Sequence, residues 1–407
     1  MVRILTCLLL LVCAARVQAA DQYEAQFIAQ AKPESGVFAV EIRLKGSQLP
    51  SRVRFAIDPQ RHRRFTSDST LDTSEREVTW RPKGKNARLS YEFVVNHERA
   101  SKAFDSYMNA DWALFRADKL VPRARVTAKK GLTSRSSLRF VLPQGWSVVT
   151  AYAPTGTQAI AVEDPDRGFD RPEGWMLAGK IGVRAEKSGH VQATIAAPVG
   201  ESARRQDALS FLNWNMPKLI EVFSDFPPRL LIVSAGDPMW RGGLSGPGSI
   251  FLHADRPLIS ENRTSTMLHE LVHVAMRLRA DHESDWIVEG LAEYYSVETL
   301  RRSGGISERR YHQAIEEMRR WSKRSDSLFN ESSSGPTTAR AVLTLIAVDR
   351  EIRAQTAGKR SLDDLARLLA KRGGTISLDR FQKAGAQIAG RPLKTLERAA
   401  LQKAPAD

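Results

Sequence analysis

Cysteine is nearly absent from this 407-residue sequence. Its two cysteines, Cys7 and Cys13, lie close to the amino terminus, in a segment that has the features of a removable leader. The remainder of the chain therefore cannot rely on disulfides, whatever the redox state of its compartment. Any metal site in that remainder must be built from histidine and carboxylate side chains.

Long apolar runs are also missing beyond the leader. The apolar stretch 4–15 is too short to span a bilayer with any margin, and Val17-Gln18-Ala19 then offers the small residues that a signal peptidase reads. We predict a signal peptide over residues 1–19 and a periplasmic or secreted protein without a membrane span. A lipoprotein anchor at Cys13 is the alternative, but Val12 stands where such a signal has a small residue.

Acidic residues are fewer than basic ones, with 46 Asp and Glu against 61 Lys and Arg and a formal net charge of +15. The excess is spread along the chain, which is typical of solvated faces that keep a protein soluble. It also fits affinity for anionic cell-envelope polymers or acidic peptides. Export of the chain argues against nucleic acid as a partner.

The pattern of apolar residues predicts an α+β protein in three parts. Short alternating segments run from Tyr23 to about Pro198 and predict a β-sandwich-like domain over residues 20–200. The histidines of this part are scattered, and we expect a structural or surface role for each: His62, His97 and His190.

Helical spacing begins after residue 203 and dominates the rest of the chain. A helix over 207–226 precedes two short strands, 229–236 and 248–255. Two helices follow, from Thr266 to about Arg279 and from Ser284 to about Arg302, within a second domain over 201–330. The last domain, 331–407, is predicted to be helical, with segments 337–356, 361–371, 378–389 and 393–402.

The sequence HELVH, residues 269–273, carries the strongest chemical signal. His269 and His273 are four residues apart, so on a helix they project from one face and both imidazoles can bind one ion at about 2.1 Å. Glu270 lies beside that face, close enough to take a proton from a metal-bound water. The alternative is a core or surface helix in which the histidines make ordinary hydrogen bonds and bind no metal.

A third metal ligand is available on the next helix. The short connection Leu278–Asp285 would pack the two helices antiparallel and bring Glu289 beside both histidines. Glu293 falls on the same face and would accept the free ring N–H of one histidine, although it is also the alternative direct ligand. Two histidines and one glutamate leave a fourth position open, which is typical of a catalytic zinc site. Another divalent metal fits the same ligands.

Three further histidines lie near this motif or beyond it. We expect His282, in the connecting loop, to face solvent and His312 to be structural. His253 follows a predicted strand and could line a cleft.

The pattern H-E-x-x-H, followed by W-x-x-E-G-x-x-E-Y-Y, resembles the gluzincin zinc metallopeptidases, and among them the glycyl-aminopeptidase family. The segments FDRPEGWMLAGKI, FPPRLLIVSAGDPMWRGGLSG and ARAVLTLIAVDREIRAQTAGKRSLDDLARLL resemble passages of that family. The resemblance implies a thermolysin-like zincin catalytic domain. It also implies zinc on His269, His273 and Glu289, with Glu270 as the base in peptide hydrolysis, and a substrate contact at Gly243 and Ser245.

The sequence departs from that family at three places. Ser245 stands where the family's G-G-L-E-H has a glutamate that grips a free amino terminus, so a strict aminopeptidase is not expected. Thr338 stands where the family has a tyrosine that donates to the oxyanion. We consider Tyr294, Tyr295 and Tyr311 as substitutes for that donor. The stretch between the metal helices is also shorter than in the family, and no PDZ module follows.

The sequence is therefore compatible with two functions. The first is a secreted zinc metallopeptidase that acts on peptides or proteins through Glu270 and a zinc-activated water. The second is a catalytically impaired relative that binds zinc and serves as a peptide-binding or scaffold protein. The intact Glu270 favours the first, whereas Ser245 and Thr338 favour the second.

Overall fold

The computed structural model describes residues 21–155, 159–162, 169–333 and 335–402. The predicted signal peptide, residues 1–19, lies outside the described residues. The protein is a mixed α+β structure with several sheets and a helical carboxyl-terminal part.

The first part of the chain folds almost entirely into strands, as the alternating pattern predicts. Its strands are β1 (Gln22–Lys32), β2 (Val37–Lys45), β3 (Arg52–Ala56), β4 (His62–Ser67), β5 (Thr70–Thr73), β6 (Glu77–Arg81), β7 (Asn86–Val94), β8 (His97–Glu98), β9 (Phe104–Met108), β10 (Trp112–Arg116), β11 (Ala124–Thr127), β12 (Thr133–Val141), β13 (Ser147–Val149), β14 (Pro154–Thr155), β15 (Ala159–Val162) and β16 (Trp175–Gly179). One short helix, α1 (Ala117–Leu120), and a 3-10 turn, Pro33–Ser35, interrupt them.

These strands form three sheets around one apolar core. A seven-stranded sheet has the order β14-β15-β12-β1-β2-β7-β4, a four-stranded sheet β11-β3-β6-β5, and a five-stranded sheet β13-β16-β10-β9-β8. Alternate side chains of β2 and β7 point inward, which is why their apolar residues occur at every second position. The core includes the fully buried rings of Phe27, Phe38, Trp80 and Phe93.

The next part combines a mixed sheet with helices on one face. Its elements are β17 (Ile181–Ser188), β18 (Val191–Pro198), α2 (Arg205–Val222), β19 (Arg229–Ala235), β20 (Gly243–Gly246), β21 (Ser249–His253), α3 (Thr266–Met276), β22 (Leu278–Ala280) and α4 (Asp285–Arg302). The five-stranded sheet has the order β17-β18-β19-β21-β20, with β18, β19 and β21 parallel and β20 antiparallel at one edge. Because β17 and β18 precede residue 200, this sheet crosses the predicted domain boundary there.

A separate apolar cluster joins the two five-stranded sheets. Trp112 and Leu177 of the first sheet pack with Leu231 and Phe251 of the second, and all four are buried. Burial of large side chains at this contact gives the strand-rich part a fixed position beside the sheet that carries β20.

The remaining elements are mainly helical and pack against α2, α3 and α4 or against one another. They are α5 (Glu308–Ser322), α6 (Gly335–Gln355), α7 (Leu362–Arg372), β23 (Gly374–Ile376), α8 (Leu378–Ala389), a 3-10 turn (Lys394–Leu396) and α9 (Arg398–Gln402). Three details differ from the sequence prediction. Helix α5 was not predicted, the predicted helix 393–402 is a turn and a short helix, and residues 278–280 pair with β23 instead of continuing α3. No helix in the described part of the chain is both long and apolar enough to cross a membrane.

Candidate active site

Helix α3 carries the HELVH motif and begins at a capped position. The side chain of Ser265 accepts a hydrogen bond from the backbone N–H of Leu268, which satisfies one of the free donors of the first turn. Leu271 and Val272 are fully buried in the helical core. This burial fixes the rotation of α3 and leaves His269 and His273 together on its other face.

Helix α4 packs against α3, and a serine holds the two in register. The hydroxyl of Ser296 donates to the carbonyl oxygen of Ser265 at 3.0 Å and accepts from the backbone N–H of Ser265 at 3.1 Å. Both residues are buried. The cap of α3 is therefore bound to α4, close in sequence to Glu289 and Glu293.

The two histidines and Glu289 bring three potential ligand atoms together. Nε2 of His273 lies 3.1 Å from Nε2 of His269, and the Glu289 carboxylate oxygens lie 3.2 Å from the latter and 3.4 Å from the former. Tetrahedral ligands about 2.1 Å from one zinc ion are separated by about 3.4 Å. The spacing and the nitrogen and oxygen donors therefore fit zinc, and the three groups form a cluster in which all ligand atoms lie within 4.8 Å of one another.

Glu293 contacts the opposite ring nitrogen of His269. Its Oε2 accepts from Nδ1 at 3.0 Å, so the other nitrogen, Nε2, faces Glu289 and His273. A carboxylate in this position fixes the ring orientation and the tautomer of a histidine that binds metal. The geometry thus gives Glu289 and Glu293 different places, and their roles as ligand and supporting group stay predictions.

The pKa values of the two imidazoles are shifted in opposite directions. Burial acts to lower the pKa of His269, but its hydrogen bonds with Glu289 and Glu293 outweigh burial and raise it to about 10. Burial and the nearby charge of His269 lower the pKa of His273 to about 4. A bound cation would have to displace the proton held between His269 and the carboxylates.

Glu270 projects into a confined space beneath strand β20. The residue is only 8% exposed. Burial raises the pKa of its carboxyl group, the charge of His269 lowers it, and the charge of Glu289 raises it. A buried carboxylate with a raised pKa is well suited to accept and return a proton near neutral pH.

Gly243 in β20 lies directly against Glu270. A Cβ atom at this position would come within 2.9 Å of Glu270 Cγ and 2.6 Å of Thr266 Cγ2. Only glycine allows so close an approach of the strand to the helix. Gly243 therefore limits where the Glu270 side chain can lie, in addition to the substrate contact predicted for it.

Ser245 lies two residues along the same strand and is partly buried. Its hydroxyl and backbone N–H interact with the Glu270 carboxylate and lower its pKa. The substrate-binding role predicted for Ser245 remains untested, and the structure adds this contact with Glu270.

Thr338 and the candidate tyrosines occupy different surroundings. Thr338 lines a cavity that Glu293 also lines. Tyr295 is buried and donates to Asp363 at 3.0 Å, and burial raises the pKa of Tyr294 and Tyr295 well above the usual range. The hydroxyl of Tyr295 is therefore committed to α7, which disfavours it as an oxyanion donor.

In the part of the chain that the structure describes, the other histidines do not join the cluster formed by His269, His273 and Glu289. His282 and His312 are exposed. His253 is buried at the end of β21, where its Nδ1 accepts from the backbone N–H of Asp255 at 3.2 Å, and it lines a separate small cavity beside the start of α2.

Several residues near the site were not identified from the sequence. Trp321 and Glu317 of α5, with Asn262 from the loop before α3, line the cavity beside Glu293, and Ser296 binds α3 to α4. Recognition of α5 from its apolar spacing, residues 311, 314, 315 and 318, would have directed attention to the first two.

No protein-family model matches the sequence, and no curated protein sequence matches it. Solved structures, in contrast, share its architecture. An aminopeptidase N family protein from Idiomarina loihiensis aligns over 86% of this chain and 70% of its own length, at 14% identity and a TM-score of 0.65.

Two other structures align over more of the chain. An M1 zinc metallopeptidase from Deinococcus radiodurans covers 95% of this chain and 94% of its own, at 14% identity and a TM-score of 0.60. The yeast LTA4 hydrolase covers 92% of this chain and 65% of its own, at 12% identity and a TM-score of 0.56. At such low identity the likeness concerns the fold, and the chain has the mixed α+β fold of the M1 zinc metallopeptidases.

Proposed function

We propose that this protein is a zinc-dependent metallopeptidase that cleaves peptide bonds. The observation that carries the proposal is the meeting of two imidazole Nε2 atoms and the Glu289 carboxylate within 3.1–3.4 Å, beside the buried Glu270. His269, His273 and Glu289 would hold the ion, and Glu293 would orient His269. Zinc supplies Lewis-acid chemistry, which polarises a carbonyl group and makes water more acidic.

Glu270 has the central role among the residues of the chain itself. Its carboxylate takes a proton from the attacking water and returns it to the leaving amine as the peptide bond breaks. Gly243 and Ser245 lie against this carboxylate, and we propose that their strand β20, at the edge of its sheet, contacts an extended substrate. We regard the domain that carries these residues as thermolysin-like.

Peptides are the proposed substrates. A mutant of the Deinococcus radiodurans metallopeptidase was solved with a Tyr-Ser-Ala substrate, at 13% identity and a TM-score of 0.60 to this chain. This supports peptides as the substrate class. Because Ser245 is uncharged, we propose that a free amino terminus is not required. The same proposal includes the closer resemblance to glycyl-aminopeptidases. It also includes the secreted or periplasmic location and an affinity for anionic envelope polymers.

A zinc-binding relative without turnover is the second candidate. It is favoured by Ser245 and Thr338, which stand where the resemblance implies a substrate-binding glutamate and a tyrosine. Such a protein would bind peptides at the same site without cleaving them.

One experiment distinguishes the two candidate functions. The zinc-loaded protein and its Glu270→Gln variant are incubated with a mixed peptide library, and the products are identified by mass spectrometry. Cleavage by the native protein that is lost in Glu270→Gln, at equal zinc content, supports the peptidase. No cleavage by either protein, with zinc bound to both, supports the scaffold. Internal cuts in peptides with blocked amino termini support the proposed specificity.

A further inference from the structure

A buried serine on α4 continues the row of contacts between the two helices that carry the candidate metal ligands. Ser296 lies three residues after Glu293 on α4. Ser265, the cap of α3, lies four residues before His269. Residues three or four apart share one face of a helix. The contact between the two serines is therefore about one helical turn from the contact between His269 and Glu293.

The hydroxyl of Ser296 is connected through one carbonyl group to the backbone of His269. It donates to the carbonyl oxygen of Ser265 at 3.0 Å and accepts from the backbone N–H of Ser265 at 3.1 Å. The same carbonyl oxygen accepts from the backbone N–H of His269 at 2.9 Å. Ser265 is 1% exposed and Ser296 is 0% exposed, so these bonds are shielded from competing water.

The bonds of Ser296 are polar contacts between the helices that do not involve the groups offered to the metal. Among the described residues, α3 with its cap is hydrogen-bonded to α4 by the two histidines and by Ser296. The other contacts are apolar, since Leu271 of α3 and Leu291 of α4 belong to one core. Apolar packing is non-directional, whereas hydrogen bonds are directional. The Ser296 hydroxyl is therefore suited to fix where α3 lies along α4.

The metal site needs that fixed position, because its ligands come from both helices. Zinc holds each ligand within a few tenths of an ångström of one distance, so a small slip of α3 along α4 weakens binding. We propose that Ser296 is a positioning residue of the metal site, whose hydroxyl holds α3 where His269 and Glu289 reach one ion. This inference rests on the proposed function, which assigns zinc to these residues. It adds a determinant of zinc affinity outside the three ligands.

Ser249 provides a matched control in another part of the fold. Its hydroxyl also bonds to two backbone groups, because it accepts from the N–H of Trp175 at 2.7 Å and donates to the carbonyl oxygen of Pro247 at 3.1 Å. Like Ser296, Ser249 is 0% exposed. It joins β21 to β16, outside the contact between α3 and α4. Loss of either hydroxyl should lower stability to a similar extent, but only Ser296 should affect the metal.

Zinc affinity and stability are measured separately for the native protein, Ser296→Ala and Ser249→Ala. Competition with a chromophoric chelator gives the Kd for zinc, and urea denaturation of the metal-free proteins gives stability. We expect the Kd to rise about tenfold in Ser296→Ala, as when the support of a metal ligand is removed, and to stay unchanged in Ser249→Ala. Both variants should unfold at lower urea concentrations. The visible absorption bands of bound cobalt(II), which depend on coordination geometry, should change in Ser296→Ala alone.

Hydrogen exchange in the native protein tests the same connection without a substitution. Coupling between two sites is reciprocal, so zinc binding should in turn stabilise the bonds between Ser296 and Ser265. We expect zinc to slow exchange of the backbone N–H of Ser265 more than that of Trp175, as measured by mass spectrometry of peptides that contain either residue. This measurement applies even if Ser296→Ala does not fold.

The possible results separate this inference from the proposed function. An unchanged Kd for zinc in Ser296→Ala, an equal rise in both serine variants, or equal slowing of exchange at Ser265 and Trp175 would overturn the role of Ser296 even if the native protein cleaves peptides. Weaker zinc binding confined to Ser296→Ala, without cleavage by the native protein, would support that role and overturn the peptidase. A native protein that binds no zinc would overturn both.

Discussion

At the scale of single residues, the site depends on how closely β20 approaches α3. The HELVH spacing predicts that two histidines share one helix face, and the structure places them there with rings 4.9 Å apart. The sequence does not indicate why Glu270 adopts one position. That position is limited by β20, where the absence of a side chain at Gly243 lets the strand lie directly against Glu270.

The substitution Gly243→Ala tests this contact. The added methyl group would meet Thr266 Cγ2 and Glu270 Cγ at less than 3.0 Å, so it must displace the carboxylate or the strand. We expect kcat/KM for peptide hydrolysis to fall on the order of 10–100-fold, because a small misplacement of a catalytic group has large effects. Zinc content should not change.

Gly246→Ala provides the control on the same strand. A Cβ atom there would have its nearest neighbours at 3.4 Å, which is ordinary packing distance. Activity close to that of the native protein is expected for Gly246→Ala. Equal activity of the two variants would show that Gly243 does not constrain Glu270.

At the scale of secondary-structure elements, strong local periodicity decided which parts were predictable. The bounds of α4 and α8 agree closely with the sequence pattern, because apolar residues recur at helical spacing over several turns. Helix α5 was missed because its fifteen residues include few apolar ones, and only Ala314, Met318 and Ser322 are buried. Residues 311, 314, 315 and 318 nevertheless follow helical spacing, so closer attention to that spacing would have predicted this wall of the cavity beside Glu293.

The pairing of strands that are distant in the chain also could not be predicted from the sequence. Residues 278–280 look like the end of α3, but Arg277 adopts a left-handed conformation with φ of 52° and ends the helix. The next three residues then pair in parallel with Gly374–Ile376, nearly a hundred residues away. Such short long-range pairs leave no local signal in either segment.

Helices α4 and α7 are joined by a partly buried ionic network that the substitution Asp363→Ala would break. Asp363 accepts from Arg302 at 2.8 Å and from Tyr295 at 3.0 Å. Its removal leaves the guanidinium of Arg302 with Glu298 alone and the phenol without a partner. We expect the free energy of unfolding to fall by about 1–3 kcal/mol, measured by urea denaturation.

Asp379→Ala is the matched control for this element. Asp379 also lies in the first turn of a helix and also forms an ion pair, with Lys383, but both side chains are largely exposed. Exposed pairs contribute little to stability, so the urea midpoint should change little. A similar loss in both variants would argue against a specific α4–α7 connection.

At the scale of the whole molecule, the strand-rich part packs against the part that carries the candidate site through the apolar cluster between the two five-stranded sheets. The sequence indicated the composition of each part, but not the sheet that crosses residue 200 or the aromatic contact between sheets. Those features depend on which strand pairs with which, and alternation within a strand does not encode its partner.

The pH dependence of stability should depend partly on His62 in the strand-rich part. Burial lowers the pKa of His62, and its Nε2 donates to the carbonyl oxygen of Lys119 at 2.7 Å. The unfolded chain therefore takes up a proton at higher pH than the folded protein does. Stability from the neutral imidazole is present above the unfolded pKa of about 6.5 and is lost as the pH falls below it.

Urea denaturation between pH 7.5 and 5 measures this contribution. We expect the free energy of unfolding to decrease with falling pH, and the decrease to be smaller in His62→Gln. The exposed His282 serves as the control, because His282→Gln should keep the native slope. If the free energy of unfolding of His62→Gln fell with pH as steeply as that of the native protein, His62 would not contribute to the loss of stability at acidic pH.

The central claim is that His269, His273 and Glu289 hold one zinc ion, with Glu293 behind His269. Zinc content measured by mass spectrometry after dialysis against a weak chelator tests it most directly. We expect one zinc per chain in the native protein and in His282→Ala, and almost none in His273→Ala or Glu289→Ala. Glu293→Gln should still bind zinc, with an affinity about 10–100-fold lower, since it removes only the support of a ligand. One tightly held zinc per chain in Glu289→Ala would contradict the account.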